Sequence, residues 1–283
     1  MDIKTISVIG GGTMGNGIAH LFAWKGYQVN LVEMNQQLLE KAINTISANF
    51  DRQVKKNILS DEDKKNALSK INQVVGIDSV LKESDIVIEA IYEDKQAKLS
   101  IFNKLHSYVK EETIFCSNTS SISITELSQT GRPDKFIGMH FMNPVPVMKL
   151  VEVIRGYSTS DETYNIIKEL AITLDKIPVE VFDYPGFISN RILMPMINEA
   201  IFALMEGVAS AEDIDTVMKL GMNHPMGPLT LADFIGLDVC LAIMNVLYTG
   251  YGDSKYRPCP LLKKMVAANR LGRKTGEGFF KYK

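Results

Sequence analysis

The sequence predicts an α/β protein: a Rossmann-like, doubly wound sheet over residues 1–183, then an all-α C-terminal dimerisation domain over residues 184–283. Three observations carry this reading. A glycine run near the start lies between a strand pattern and a helix pattern. Strand and helix patterns then alternate as far as Phe182. Beyond Asp183-Tyr184-Pro185-Gly186 only helical periodicity remains.

The first strand is Lys4–Ile9, a β-branched run, followed at once by Gly10-Gly11-Gly12-Thr13-Met14-Gly15 and a helix over Met14–Lys25. A G-x-G-x-x-G run in that setting is the dinucleotide fingerprint. Gly10 permits the tight turn, Gly12 lets a pyrophosphate approach the backbone, and Gly15 lets the helix pack on the strand. The N-terminus of that helix then faces the phosphates. The second strand, Gln28–Val32, ends in Glu33, 18 residues after Gly15. An acid is expected ~20 residues on, where it receives a ribose 2′-hydroxyl. Glu33 would repel a 2′-phosphate, and Met34-Asn35-Gln36 places no arginine to receive one, so NAD rather than NADP is the expected cofactor.

Gln37–Lys70 reads as a lysine-rich helical hairpin broken near Ser60-Asp61. Gln73–Val75 and Asp85–Glu89 read as buried parallel strands, Lys95–Val109 as a helix and Thr113–Cys116 as a strand. Strands at Phe136–Met139 and Lys149–Ile154 follow, then a helix over Asp161–Leu174 and a last strand, Pro178–Phe182. Helices over Phe187–Met205, Ala211–Leu220, Leu229–Leu247 and Pro260–Leu271 complete the chain, separated by Gly and Pro signals. Their apolar faces (Ile192, Leu193, Met196, Ile197, Ile201; Leu237, Leu241, Met244, Leu247) exceed what a small domain needs, which predicts a homodimer.

Hydrophobic content of 46% and charged content of 23% are those of a globular protein, and a net charge of −2 argues against a nucleic-acid partner. Cys116, Cys240 and Cys259 make no C-x-x-C and no metal pattern, so no metal is expected and the compartment is taken as reducing. The uncharged run Ile6–Trp24 approaches the length of a membrane span. Its glycines, Asn16 and His20 fit the phosphate loop better, and no basic segment precedes it as in a signal peptide. A cytoplasmic protein with no membrane partner is expected.

The segment Ser117–Arg155 brings Ser120, His140, Asn143 and Glu152 into a short stretch. A histidine and a carboxylate at the ends of neighbouring strands can hydrogen-bond, fixing the ring tautomer and raising the basicity of the other nitrogen. A general base beside a cofactor that removes electrons is the equipment of an alcohol dehydrogenation.

The chain resembles the short-chain L-3-hydroxyacyl-CoA dehydrogenases, and within them the bacterial 3-hydroxybutyryl-CoA dehydrogenases. GGGTMGNGIAH, DIVIEAIYED, SNTSSISITEL, GMHFMNPVPVMKLVEVIRG, PGFISNRILMPMINEA, HPMGPLTLADFIGLD and LGRKTGEGFFKY carry the resemblance from Gly10 to Tyr282. It implies interconversion of (S)-3-hydroxybutyryl-CoA and acetoacetyl-CoA with NAD(H), an acyl-CoA substrate and a homodimer. His140 then falls on the family's catalytic histidine, Glu152 on its paired acid, and Ser120 and Asn190 on the assisting serine and asparagine. For the cofactor it implies Gly10, Gly11, Gly12, Thr13, Met14, Gly15, Glu33, Glu93, Lys98, Ser120, Asn143 and Lys274. For substrate it implies Ser120, Asn190, Lys56 and Asn49. Asn49 stands where a serine is common, and Glu33 where many relatives carry aspartate.

Two other classes stay open on the residues alone. Another NAD-linked hydroxyacid dehydrogenase of the same plan typically uses a lysine base and lacks the HFMNPVPVMKLVEV text. A non-catalytic structural relative would have no need of intact His140, Glu152, Ser120 and Asn190.

Overall fold

The computed structural model describes residues 2–77 and 79–282, without the side chains of residues 79 and 80. The chain divides into two compact units, Met1–Asp183 and Tyr184–Lys283.

The first unit is built on one sheet of eight strands: β1 (Thr5–Ile9), β2 (Gln28–Glu33), β3 (Ile71–Val75), β4 (Ile86–Glu89), β5 (Ile114–Ser117), β6 (Phe136–Phe141), β7 (Leu150–Arg155) and β8 (Ile177–Phe182). Their order is β3-β2-β1-β4-β5-β6-β7-β8. The order reverses beside β1, so the doubly wound expectation holds. The inner strands are continuous apolar runs because helices cover both faces; β4, β5 and β6 are buried at every position. Strands Ile6, Val8, Leu31, Ile86 and Ile88 share one core with Ile18, Leu21 and Phe22 of α1 (Thr13–Trp24) and with Ile46 and Phe50 of α2 (Gln36–Lys55). Strand β8 is an edge, with Ile177 and Phe182 exposed, which explains how it accommodates Pro178.

All neighbouring strands run parallel except β6 and β7. The sequence offered no direct sign of this reversal, but the connection is short. Only residues 142–149 join the two strands, and a parallel crossover needs a dozen or more. The hairpin expected after β2 is α2 followed by α3 (Asp61–Ser69). It breaks where Ser60 accepts from the Asp63 N–H and Asp63 accepts from the Ser60 N–H, a reciprocal cap that starts the second helix. Helix α4 (Lys95–Leu105) ends earlier than expected. The sequence reading missed α5 (Ile124–Leu127), a single turn whose first N–H groups are held by Asp183. Helix α6 (Asp161–Thr173) joins β7 to β8.

The second unit is helical: α7 (Ser189–Met205), α8 (Ala211–Leu220), α9 (Pro228–Ile235), α10 (Leu237–Tyr251) and α11 (Pro260–Ala267). The single helix expected over Leu229–Leu247 is two helices that turn by 99°. Gly236 sits at the break with φ of 103°, a conformation that side-chain-bearing residues rarely adopt. A second expectation also needs correction. Ile197, Ile201, Leu237, Met244 and Leu247 are interior to this unit, and Leu193 and Leu241 pack against the same core. Of the side chains expected to be spare, Ile192 stands out at 68% exposed. The closing LGRKTGEGFFKY stretch is tied to α9 by Asp233, which accepts from the Phe279 and Phe280 N–H groups and from the Tyr282 hydroxyl. Gly278 leaves room for this carboxylate, since a Cβ there would lie 1.9 Å from Asp233 Oδ1. Among the described residues no single helix is long and apolar enough to cross a membrane; α9 and α10 pass that test only as a bent pair.

Candidate active site

The glycine turn joins β1 to α1. Gly10 has φ of 97°. A Cβ on Gly15 would lie 1.7 Å from Gly10 O, so this helix can approach its strand only with glycine here, whereas a Cβ on Gly12 would meet open space. Helices α2, α3, α4, α6 and α8 each have a side chain capping their first turn. Helix α1 has none, and no acid in its first turn. Its N-terminal N–H groups and the positive end of its dipole are left to an anionic ligand. The Gly11 N–H donates to Glu33 Oε1 at 2.7 Å, and the Met34 N–H donates to Glu33 Oε2 at 3.0 Å. The acid at the end of β2 is thereby held beside the glycine turn. Turn, uncapped helix and acid fit a dinucleotide.

The carboxyl ends of β1, β2, β4, β5 and β6 lie on one edge of the sheet, the edge where ligands bind in folds of this type. Gly10 to Gly15 and Glu33 belong to it. So do Glu93 and Lys98 after β4, Ser120 after β5, and His140 and Asn143 at and beyond the end of β6.

His140 and Glu152 are direct cross-strand partners in the β6–β7 ladder. His140 Nδ1 lies 2.7 Å from Glu152 Oε2, and both residues are buried, the acid at 2% exposure. An ionised carboxylate only accepts hydrogen bonds, so in the neutral ring Nδ1 is the nitrogen that carries the proton. The Phe141 N–H next to this pair donates to Asn118 Oδ1 at 3.0 Å, and the Asn118 N–H donates to Glu89 O, tying the loop after β5 to β6 and β4.

Ser120 lies in a loop drawn around Glu93. The Oε1 atom of Glu93 accepts from the Thr119 hydroxyl at 2.6 Å, from the Ser120 and Ser121 N–H groups at 2.9 and 3.1 Å, and from both serine hydroxyls at 3.3 and 3.1 Å. Burial tends to raise the pKa of Glu93, but the Lys98 charge and these hydrogen bonds outweigh it and hold the carboxyl below its ordinary value. Lys98 is itself buried. Its ammonium lies 2.6 Å from Glu89 Oε1 and 3.3 Å from Glu93 Oε2.

Asn49 and Lys56 lie at the far end of α2, with Arg52 Nη1 donating to Asn49 Oδ1 at 2.9 Å. Asn190 and Lys274 belong to the second unit. Asn190 is buried at the start of α7, and Lys274 pairs with Asp238. The sequence reading passed over Glu89, Ser117 and Asn118. The one available signal was a carboxylate at the end of an apolar strand, which needs a partner when buried. Among the described residues no three His, Cys, Asp or Glu side chains are grouped to hold a metal ion.

The 3-hydroxyacyl-CoA dehydrogenase NAD-binding domain model matches residues 5–184, and the C-terminal domain model of the same family matches residues 186–282. The chain belongs to the 3-hydroxyacyl-CoA dehydrogenase family. It is 53% identical to the 3-hydroxybutyryl-CoA dehydrogenase of Bradyrhizobium diazoefficiens over 99% of this chain and 96% of that protein. It is 52% identical to the 3-hydroxybutyryl-CoA dehydrogenase of Clostridioides difficile over 98% of this chain and 99% of that one. The crystal structure of (S)-3-hydroxybutyryl-CoA dehydrogenase from Ralstonia eutropha superposes with a TM-score of 0.97 at 50% identity, covering all of both chains. The chain is an NAD-dependent dehydrogenase of this family, and the glycine turn with its uncapped helix is a local basis for that cofactor.

The placement of Glu33 gives a test. Turnover should favour NADH over NADPH, and Glu33→Ser combined with Met34→Arg should shift the ratio toward NADPH. Steady-state rates with each cofactor report it; a parent enzyme that prefers NADPH would contradict this role for Glu33.

Proposed function

We propose that the chain interconverts (S)-3-hydroxybutyryl-CoA and acetoacetyl-CoA with NAD(H), using His140 as general acid and base and Glu152 as its partner. The observation that carries this reading is the buried His140–Glu152 hydrogen bond at the ligand-binding edge of the sheet. The names of the relatives above support the four-carbon acyl-CoA as substrate.

In the oxidising direction the Nε2 lone pair of His140 takes the proton of the C3 hydroxyl. Glu152 orients the ring through Nδ1 and offsets the charge that the imidazole then carries, as the acid does in a hydrolytic triad. NAD, when bound, supplies the acceptor for the hydride from C3, and Gly10 to Gly15 with Glu33 hold it. Glu93, Lys98, Ser120, Asn143 and Lys274 are further cofactor contacts in this reading. Ser120 and Asn190 hold the hydroxyl and the thioester carbonyl, so that the reacting carbon is presented in one orientation. Lys56 and Asn49 serve the coenzyme A end. In reduction the imidazolium returns the proton to the same oxygen.

We also propose a homodimeric, cytoplasmic protein that meets neither membrane nor nucleic acid. The apolar side chains left outside the core of the second unit support the dimer: Val217 and Leu220 are 59% and 82% exposed on one face of α8, and Met222 just beyond is 60% exposed.

His140→Gln should leave NADH binding near that of the parent and lower turnover by about 10²–10⁴-fold, the usual share of general acid–base catalysis. Glu152→Gln should cost a similar factor, and the double variant little more than either single one, since residues acting as a unit are not additive. Turnover of His140→Gln within threefold of the parent would remove it from the mechanism. Light scattering should give a particle of twice 31.6 kDa, and Leu220→Glu should shift it toward the monomer. A parent protein that scatters as a single chain would sink the dimer.

A further inference from the structure

The most deeply buried carboxylate among the described residues of the first unit, Glu89, is not one of the side chains that the family resemblance assigns. Glu89 ends β4, is fully buried, and lies directly across from Ser117 of β5 in the ladder. Its carboxylate has three donors: the Ile91 N–H at 2.7 Å and Lys98 Nζ at 2.6 Å on Oε1, and the Ser117 hydroxyl at 2.6 Å on Oε2. Lys98, from the first turns of α4, is 1% exposed. An ammonium has three donors, and those of Lys98 face Glu89 Oε1, Glu93 Oε2 and Ile91 O, the last at 3.4 Å. The lysine therefore links a fully buried acid to one at the surface. Glu93, the outer acid, gathers Thr119, Ser120 and Ser121 through one oxygen. The far end of the same loop is fastened separately, where Asp183 accepts from the Ser123 hydroxyl and from the Ile124 and Thr125 N–H groups.

A buried ion pair is a poor choice for stability alone, because well-packed apolar side chains of similar volume serve as well or better. Here the pair sits behind the loop that carries Ser120, the serine assigned above to the substrate hydroxyl. Glu93 is 37% exposed and alone would have a choice of rotamers. Lys98 removes that choice, and Glu89 with Ser117 removes it from Lys98.

We propose that Glu89 is a positioning residue for the reaction. Held by Ser117, it fixes the Lys98 ammonium, which fixes Glu93 and so sets Ser120 where the substrate hydroxyl is received; this rests on the reading of Ser120 given above. Besides the cofactor contact assigned to it above, Lys98 then orients Glu93, and it is the unbroken sequence Ser117–Glu89–Lys98–Glu93–Ser120 that shapes the site.

The test is a double-variant cycle on the whole enzyme, with kcat for acetoacetyl-CoA and the NADH dissociation constant as readouts. Glu89→Gln keeps the shape and removes the charge. It should lower kcat, measured at saturating NADH, by about ten- to a hundredfold, the scale of a small misplacement at a reacting centre; the NADH dissociation constant separately reports any loss at the cofactor contacts of Glu93 and Lys98. Ser120→Ala should lower kcat as well. The decisive quantity is the combination: Glu89→Gln added to Ser120→Ala should cost less than threefold further, because its route runs through Ser120. A merely structural Glu89 would instead multiply its loss onto that of Ser120→Ala, and that result overturns the proposal. If Glu89→Gln does not fold, Ser117→Ala, which removes one hydrogen bond to Glu89, takes its place in the same cycle with the same two outcomes. Unchanged kcat in Ser120→Ala would refute the reading of Ser120 itself. Lowered kcat in Ser120→Ala with multiplicative losses would refute the positioning role alone.

Discussion

Placing an imidazole and a carboxylate together inside a protein requires that each satisfy the other, because a buried charge without a partner costs several kcal/mol. The β6–β7 reversal provides the condition. Strand β7 returns antiparallel after eight residues, so position 140 faces position 152 on the same side of the sheet, and the ladder itself brings the two side chains to 2.7 Å. The strand next in the sheet, β8, runs parallel to β7 and is joined to it by α6. The end of β6 is also fastened to the loop after β5 through Asn118. A register slip of one residue would turn His140 and Glu152 to opposite faces.

The rest of the ligand-binding edge is held by charges answered locally. Glu33 closes on the Gly11 N–H, and Glu93 closes on the loop of Ser120. Glu89 closes on Lys98, where burial presses its pKa upward while the lysine charge and three hydrogen bonds oppose this. Only the start of α1 is left without a side-chain cap among the longer helices of the first unit. Negative charge is distributed around the glycine turn, with the helix end itself kept for the phosphates. Asn190 and Lys274 lie in the second unit, each on a segment held by its own contacts: the Asn190 N–H donates to Gly186 O, and the stretch around Lys274 is strapped by Asp233.

Much of this architecture was legible in the sequence because its signals are local. The strand before Gly10, the acid after β2 and the turn at Ser60 are each written within a few residues. His140 and Glu152 could be paired because both sit in apolar runs that had to be neighbouring strands. What escaped has a common cause. The Glu89–Lys98–Ser117 contact joins three elements, and no periodicity in any one of them reports it. The apolar faces of α7 and α10 looked surplus because the sequence does not show how five short helices enclose one another; Ile197, Met244 and Leu247 fill an interior that a count of apolar residues cannot measure. Gly236 was visible, but a glycine within an apolar run is as compatible with an uninterrupted helix as with a break. Only its left-handed conformation decides between them.

In the proposed mechanism Glu152 holds the proton of His140 on Nδ1, which makes Nε2 the nitrogen that takes the substrate proton. Nitrogen-15 NMR of the histidine side chains tests it directly at a pH where the imidazoles are neutral. There are four histidines, and the His140 signals are those that vanish in His140→Gln. The account requires a protonated Nδ1 with a downfield proton resonance and an unprotonated Nε2, with that resonance lost in Glu152→Gln. A ring protonated on Nε2 in the parent enzyme, or a spectrum unchanged by Glu152→Gln, would contradict it.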